Sequence, residues 1–384
     1  MSDAAATLFA SSGETVEHDA PRTGVLPYQA IRQAVREAVI CGVPDILPDQ
    51  LQPASIDLRL GPVAYRVRAS FLPGGGRTVR EKLDQFHMHE VDLTRGAVLE
   101  RGCVYIVQLV EWLRLPSRMT ALANPKSSTG RLDIFTRLIT DHASAFDRVE
   151  PGYHGPLYAE IAPRTFSILV REGSRLNQLR LRRGSPASSG TTLRNLQNTQ
   201  RLVVTAGDAP VTIIEDRIGV TLDLECAEGG LTGWRAKSHT DVIDIDRRGF
   251  YEVEDFWEPI RASPDYGLIL DPDDFYILST REFVKVPRDW AAEMVAYDTM
   301  VGEFRVHYAG FFDPGFGEGP GNESKSVLEV RSHEVPFLLE HGQLVGWLRY
   351  ERLAQSPDRA YGEGIGSSYQ RQGLALAKQF KSRR

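Results

Sequence analysis

Three cysteines in 384 residues, Cys41, Cys103 and Cys226, are too few, too isolated and odd in number for a disulfide framework or a thiolate metal centre. They are expected as small core residues. No run approaches the roughly 20 apolar residues that cross a bilayer. The N-terminus "MSDAAATLFASSGETVEHDAPRTG" also lacks a basic region followed by an apolar stretch. A cytoplasmic protein with a flexible N-terminus over 1–27 is expected. Excess positive charge is missing too: 45 Lys and Arg against 51 Asp and Glu leave a net charge of −6. That balance argues against a broad nucleic-acid or anionic-membrane surface, while leaving room for a local cationic pocket.

What is present is ample apolar material, 42% hydrophobic residues with 25% charged, enough for two or three ordinary domains. "YQAIRQAVREAVI" (28–40) places Ile31, Val35, Ala38 and Val39 at helical spacing and predicts an amphipathic helix. Short β-branched runs follow, among them "VAYRVRA", "CVYIVQLV" and "PLYAEIA", punctuated by Gly and Pro. They predict a many-stranded β domain over 28–183. "RRGSPASSGTTLRN" (182–195) has no apolar period, which predicts a linker over 184–205. Strand patterns then resume over 206–384.

The second set of strands mirrors the first. Asp57 in "SIDL" and Asp223 in "TLDL" are 166 residues apart; Tyr105 and Tyr276, like Pro116 and Pro287, are 171 apart. Pro151-Gly152 precedes Pro314-Gly315 by 163, and Glu160 in "YAE" precedes Glu329 in "VLE" by 169. Ordered landmarks at nearly constant offset predict a duplicated domain whose loops have drifted. The copies differ between the shared Pro and the shared Pro-Gly, where the first is eight residues longer and holds a cationic segment the second lacks.

That segment is "NPKSSTGRLDIF" (124–135). Lys126 and Arg131 with the hydroxyls of Ser127 and Ser128 suit a phosphate chain; a solvated turn is the alternative. Other candidates are weaker. "HMHE" (87–90) offers two ligands at i and i+2 without a third nearby. "PGGGR" (73–77) lacks the strand and helix context of a P-loop. Asp57 and Asp223 read as paired structural carboxylates.

Taken together, four segments resemble the dCTP deaminases, which share the trimeric dUTPase-like β fold. "QPASIDLRLG" (52–61) looks like that family's opening signature. "KSSTGRLDI" is similar to its Arg-Ser-Ser-x-x-Arg-Leu phosphate motif, with Lys126 in place of the first arginine. "VEPGYHGPLYAEI" and "FFDPGFG" with "VLEV" both resemble its Pro-Gly hairpin and the strand bearing a catalytic glutamate. "YQRQG" (369–373) resembles the Tyr-x-x-Gln-x-Gly arm that closes over the nucleotide.

The resemblance implies a mainly β chain of two tandem dUTPase-like barrel or jelly-roll domains with a few short helices. It implies hydrolysis of dCTP to dUTP and ammonia. Lys126 and Ser128 would hold phosphate, Ser127 and Arg131 would hold the water and stabilise developing charge, and Glu329 would be the acid/base. Glu160 is the alternative acid/base, disfavoured because the extra residues of its half fall between Arg131 and Glu150. Ala309, Gly310 and Asp313 would read the base, with Tyr369 and Gln372 supplied by the arm. The resemblance further implies Mg2+ entering with the triphosphate, dUTP or dTTP as product or inhibitor, and a homo-oligomer. Zinc is not expected, since zinc deaminases use an H-x-E…P-C-x-x-C arrangement and this chain has no C-x-x-C. Alternatives are a bifunctional enzyme or diphosphatase forming dUMP, and a nucleotide-binding regulator without catalysis.

Overall fold

The computed structural model describes residues 22–205, 210–225, 230–261, 266–296, 304–306, 310–319, 321–332, 335–363 and 372–382. Antiparallel sheets dominate both halves, and the alternating apolar runs explain why. In the first half, Val104–Arg114 lies between Leu60–Val67 and His154–Pro163, and Ile134–Thr140 extends that sheet. A second sheet places Met119–Pro125 between Asn177–Arg183 and Arg148–Val149.

The second half repeats this plan. Phe275–Val284 pairs with Gly233–Ala236 and Ser324–Ser332, and Leu344–Arg352 lies between Arg217–Thr221 and Trp290–Ala296. Strand register shows the duplication directly. Glu160 stands opposite Ile106 and Ile161 opposite Tyr105; Glu329 stands opposite Ile277 and Val330 opposite Tyr276. Each tyrosine hydroxyl accepts a main-chain N–H five residues earlier, from Glu100 (3.1 Å) and from Asp271 (2.9 Å). The chain is therefore mainly β and internally repeated, as its spacing predicts.

Local expectations fare unevenly. The first helix spans only Tyr28–Arg36, because Ala38 turns to a positive φ of 56° and the chain enters a strand at Ile40–Gly42. Within the predicted flexible terminus, Gly24–Val25 forms a strand on Arg182 and Arg183. The predicted linker holds a helix, Gly190–Gln200, whose Ser189 Oγ accepts from Thr192 N (3.2 Å) and whose Leu193 is fully buried. A cap and one buried anchor are enough where packing supplies the rest. Cys41 and Cys103 are half-buried rather than core residues, and Cys226 lies outside the described residues. His87, Met88, His89 and Glu90 are exposed on the strand His87–Asp92.

One core cluster runs across both halves, and a second lies within the second half alone. Phe166 of the first half packs edge-on against Phe256 and Trp257 of the second, with ring centroids 5.9 and 5.6 Å apart. Ile243–Asp244 adds a parallel strand to Ile168–Val170. Arg180, fully buried on the strand Asn177–Arg183, donates to the carbonyls of Ala292 (2.9 Å) and Phe312 (3.3 Å) and lies 4.0 Å over the Phe311 ring. Beside it, Arg182 pairs with Glu351 (2.7 Å) and Glu293 (3.2 Å). These contacts fix the second half's hairpin against the first half.

Candidate active site

Asn-Pro ends the strand Met119–Pro125, and the chain then makes one helical turn, Ser127–Gly130. Lys126 N and Thr129 Oγ1 both donate to the Leu176 carbonyl (2.8 and 2.9 Å), which pins the turn to the neighbouring loop. The first amides of a helical turn have no acceptor within it, so Ser127 and Ser128 bring N–H groups as well as hydroxyls. Both line a cavity of about 560 Å³ between the halves.

Lys126 and Arg131 line the same cavity from the first half, opposite Gly310, Asp313, Glu329 and Gln372 of the second. Lys126 is ion-paired with Asp57, which gives that strand carboxylate its structural partner. Arg131 is buried and donates to Gln372 Oε1 (2.8 Å) and to the Ala375 carbonyl (3.0 Å). Gln372 in turn donates through Nε2 to the Lys325 carbonyl (3.0 Å), and its own carbonyl accepts from Lys325 N (3.0 Å). The C-terminal segment thus ties the serine turn to the strand Ser324–Ser332. Two residues beyond Arg131, Asp133 accepts from Thr165 Oγ1 (2.6 Å) and is ion-paired with Arg331, two residues beyond Glu329.

Electrostatics separate the carboxylates. Burial pushes Glu329 up to about 8, with the Arg131 charge opposing that rise. Asp313 is pushed up to about 6, again by burial, with Arg180 opposing. A carboxyl that keeps its proton near neutrality can act as an acid and then as a base. Gly310 accepts from Met294 N (3.0 Å), which holds the hairpin backbone at the cavity wall. Ala309 and Tyr369 lie outside the described residues.

Glu160 occupies the register position of Glu329 but is absent from this cavity. Arg137, its cross-strand partner, donates to Glu160 Oε1 through Nε (3.0 Å) and Nη2 (2.5 Å), and through Nη2 to Ser70 Oγ (2.8 Å). The guanidinium lies 3.4 Å from the Phe146 ring centroid, and Phe146 belongs to the residues between Arg131 and Glu150 where the first half is longer. An internal cation therefore fills the place in front of Glu160. A Glu160→Gln variant is expected to lose roughly 3 kcal/mol of stability, because it strands Arg137, while retaining turnover. Urea unfolding and an activity assay on the same preparation check both parts.

Sequence reasoning missed Arg180, Arg248 and Lys378, of which the last two line the cavity. The Leu-Arg alternation of "QLRLRR" carried a signal for Arg180: with the leucines on one buried face, the arginines occupy the other.

Residues 22–185 match the family model for the 2'-deoxycytidine 5'-triphosphate deaminase N-terminal domain, and residues 189–380 match the model for its C-terminal domain. A solved 2'-deoxycytidine 5'-triphosphate deaminase from Agrobacterium tumefaciens is 55% identical; the match covers 88% of this chain and all of that one, with a TM-score of 0.83. Two relatives named "dCTP deaminase, dUMP-forming" are each 33% identical. The protein from Beutenbergia cavernae aligns over 116 residues, 29% of this chain and 58% of its own length. The protein from Halobacterium salinarum aligns over 125 residues, 32% and 60%. The chain thus spans about three-fifths of the length of these curated relatives. With both domain models matched in order and a solved structure similar over its whole length, the chain belongs to the 2'-deoxycytidine 5'-triphosphate deaminase family.

Proposed function

We propose that this chain hydrolyses dCTP to dUTP and ammonia, with Glu329 as the single acid/base and no catalytic zinc. One observation carries the reading: Glu329 and Arg131, from opposite halves, line one cavity with the Lys126, Ser127 and Ser128 turn. The carboxyl of Glu329, protonated at pH 7 by virtue of its burial, gives its proton to N3 of the cytosine. C4 becomes more electrophilic, and water adds there as the Glu329 carboxylate takes one of its protons. That proton passes to the exocyclic amine, the C4–N bond breaks, and ammonia leaves. The carboxylate receives the proton of the new hydroxyl, giving the C4 carbonyl and restoring the acid. Water supplies the oxygen and the glutamate ends as it began.

Arg131 and Ser127 would stabilise charge at the attacked centre, a preorganised role. Phosphate oxygens would meet Lys126, Ser128 and the turn's amides. Magnesium fits as a partner of the triphosphate, since that ion favours phosphate oxygens and water over an all-protein cage. Among the described residues, no group of three or more His, Cys, Asp or Glu is arranged to hold a metal ion. Likewise among the described residues, no helix is long and apolar enough to cross a membrane.

A second reading, continued hydrolysis to dUMP, draws on Asp313 at the cavity wall and on the dUMP-forming relatives. Chromatography of a dCTP reaction with magnesium and a zinc chelator tests both. Accumulating dUTP with ammonia is the expected outcome. Appearance of dUMP and pyrophosphate without a dUTP phase favours the second reading, and absence of conversion overturns both.

A further inference from the structure

Arg131 and Glu329 stand on opposite walls of the cleft, one at the end of a short turn in the first half and the other on a strand of the second. Two residues beyond each lies a further charged group, Asp133 and Arg331, and these two are ion-paired across the same seam. Successive residues of a strand alternate faces, so Glu329 and Arg331 project to one side of Ser324–Ser332. On the other wall, Asp133 N donates to the Gly130 carbonyl (2.8 Å) and Asp133 takes a positive φ of 53°, which closes the serine turn before Ile134–Thr140 begins.

The pair is enclosed and braced. Asp133 and Arg331 are 1% and 3% exposed. Thr165 Oγ1 donates to the carboxylate (2.6 Å) and accepts from Arg331 Nη2 (2.9 Å), while Arg331 Nη1 donates to the Asp273 carbonyl. The duplication supplies an internal control. Val330 stands opposite Tyr276 as Ile161 stands opposite Tyr105, so Arg331 corresponds to Ala162, a buried alanine. The half whose glutamate is covered by Arg137 therefore carries no guanidinium at that position.

Stability alone does not account for the pair. Desolvating two charges offsets most of their attraction, and apolar residues of similar volume would serve the core as well. What a buried ion pair adds is intolerance of displacement, since a slide of one wall along the other leaves two buried charges without partners.

We propose that Asp133 and Arg331 are positioning residues for the reaction: their pairing across the seam sets the register of the two walls and so places Arg131 against Glu329. The proposal rests on the reaction given above and deepens it. Neither residue lines the cavity, so both act through the groups that do. Asp133 also acts through its charge. Burial raises Glu329, Arg131 opposes that rise and Asp133 adds to it, while the cross-strand partner Ile277 brings no charge. Removing the Asp133 charge lowers the pH at which Glu329 ionises, the opposite of the effect expected for Arg131→Ala.

Asp133→Asn tests this, because asparagine tolerates a positive φ and still accepts from Thr165. Single-turnover rates and dCTP dissociation constants are measured for it, for Arg331→Met, for the double variant, and for each single change combined with Arg131→Ala. NMR spectra of the full chain labelled at glutamate carboxyls, with the Glu329 signal assigned by Glu329→Gln, follow its ionisation directly. Asp133→Asn and Arg331→Met are each expected to slow turnover roughly tenfold to a hundredfold, with affinity changed a few-fold. Once Arg131 is alanine, each adds less than about threefold. In Asp133→Asn the Glu329 midpoint falls by roughly half a unit or more. Should a single variant fail to fold, the double variant, which strands neither charge, carries the same expectation for the rate. Variants that unfold in urea like the parent and turn over like it, or losses that multiply in full with Arg131→Ala, overturn the proposal. If the parent never deaminates dCTP, the proposed reaction falls and the Glu329 midpoint decides: a downward move in Asp133→Asn upholds the hold of the pair on Glu329, and an unmoved midpoint overturns it.

Discussion

Replacing Glu329 by glutamine is expected to lower turnover of dCTP by roughly 10⁴-fold, the upper end for loss of a general acid/base, with nucleotide affinity changed only a few-fold. An amide of the same shape fills the same space but can neither give N3 its proton nor take one from water. Single-turnover rates beside calorimetric dissociation constants separate the two effects. Turnover surviving in this variant and vanishing in Glu160→Gln would move the chemistry to the first half.

The same substitution has an opposite consequence for stability. Glu329 ionises near 4.5 in the unfolded chain and is pushed up to about 8 in the fold by burial, against the opposing Arg131 charge. Its contribution to stability is therefore fully present below about pH 4.5 and is lost progressively as pH rises through about 8. At pH 7 the penalty is about 3 kcal/mol, taking 1.36 kcal/mol per unit. Glu329→Gln removes the ionisable group, so it should equal the parent in urea near pH 4 and exceed it increasingly towards pH 8. In the parent, kcat/KM is expected to fall as pH rises through about 8, because the acid that begins the cycle loses its proton.

Arg131→Ala carries the second large effect, a loss of roughly 10²–10³ in kcat/KM, the scale of removing one preorganised charge donor. Arg131→Lys keeps the charge but forfeits the fork that reaches Gln372 and Ala375 together. It should recover only part of the loss. A pH profile distinguishes this role from simple packing. Arg131 favours the ionised form of Glu329, so its removal moves the falling limb of the profile to higher pH. A profile that shrinks without moving would show that Arg131 acts on the substrate alone.

What could be read from the sequence was whatever depends on spacing. Tyr105 and Tyr276 hold the same corner, and Glu160 and Glu329 the same strand register, because insertions fell in loops and left the ladders intact. The serine turn was legible because its groups are contiguous. The difference between the two glutamates was much less so. It depends on Arg137 reaching across a strand pair and on Phe146 covering it, contacts with no linear signature. Arg248 and Lys378 escaped for a similar reason: 130 residues separate them in the chain, and only the fold makes them neighbours. The helix Gly190–Gln200 arose in a Ser, Thr and Gly-rich stretch because Leu193 found a core to enter, which local composition does not record.

The position of Arg131 opposite Glu329 within one polypeptide also has a genetic meaning. Both walls of the cleft are inherited as a unit. Under the proposed reaction, two copies, one damaged at the turn and one at the strand, are expected not to restore activity when mixed, because each already carries its own opposite wall. The covalent link likewise fixes the effective concentration of one half at the other, whatever the concentration of protein. Dilution that would part a cleft shared between separate chains leaves these two walls together.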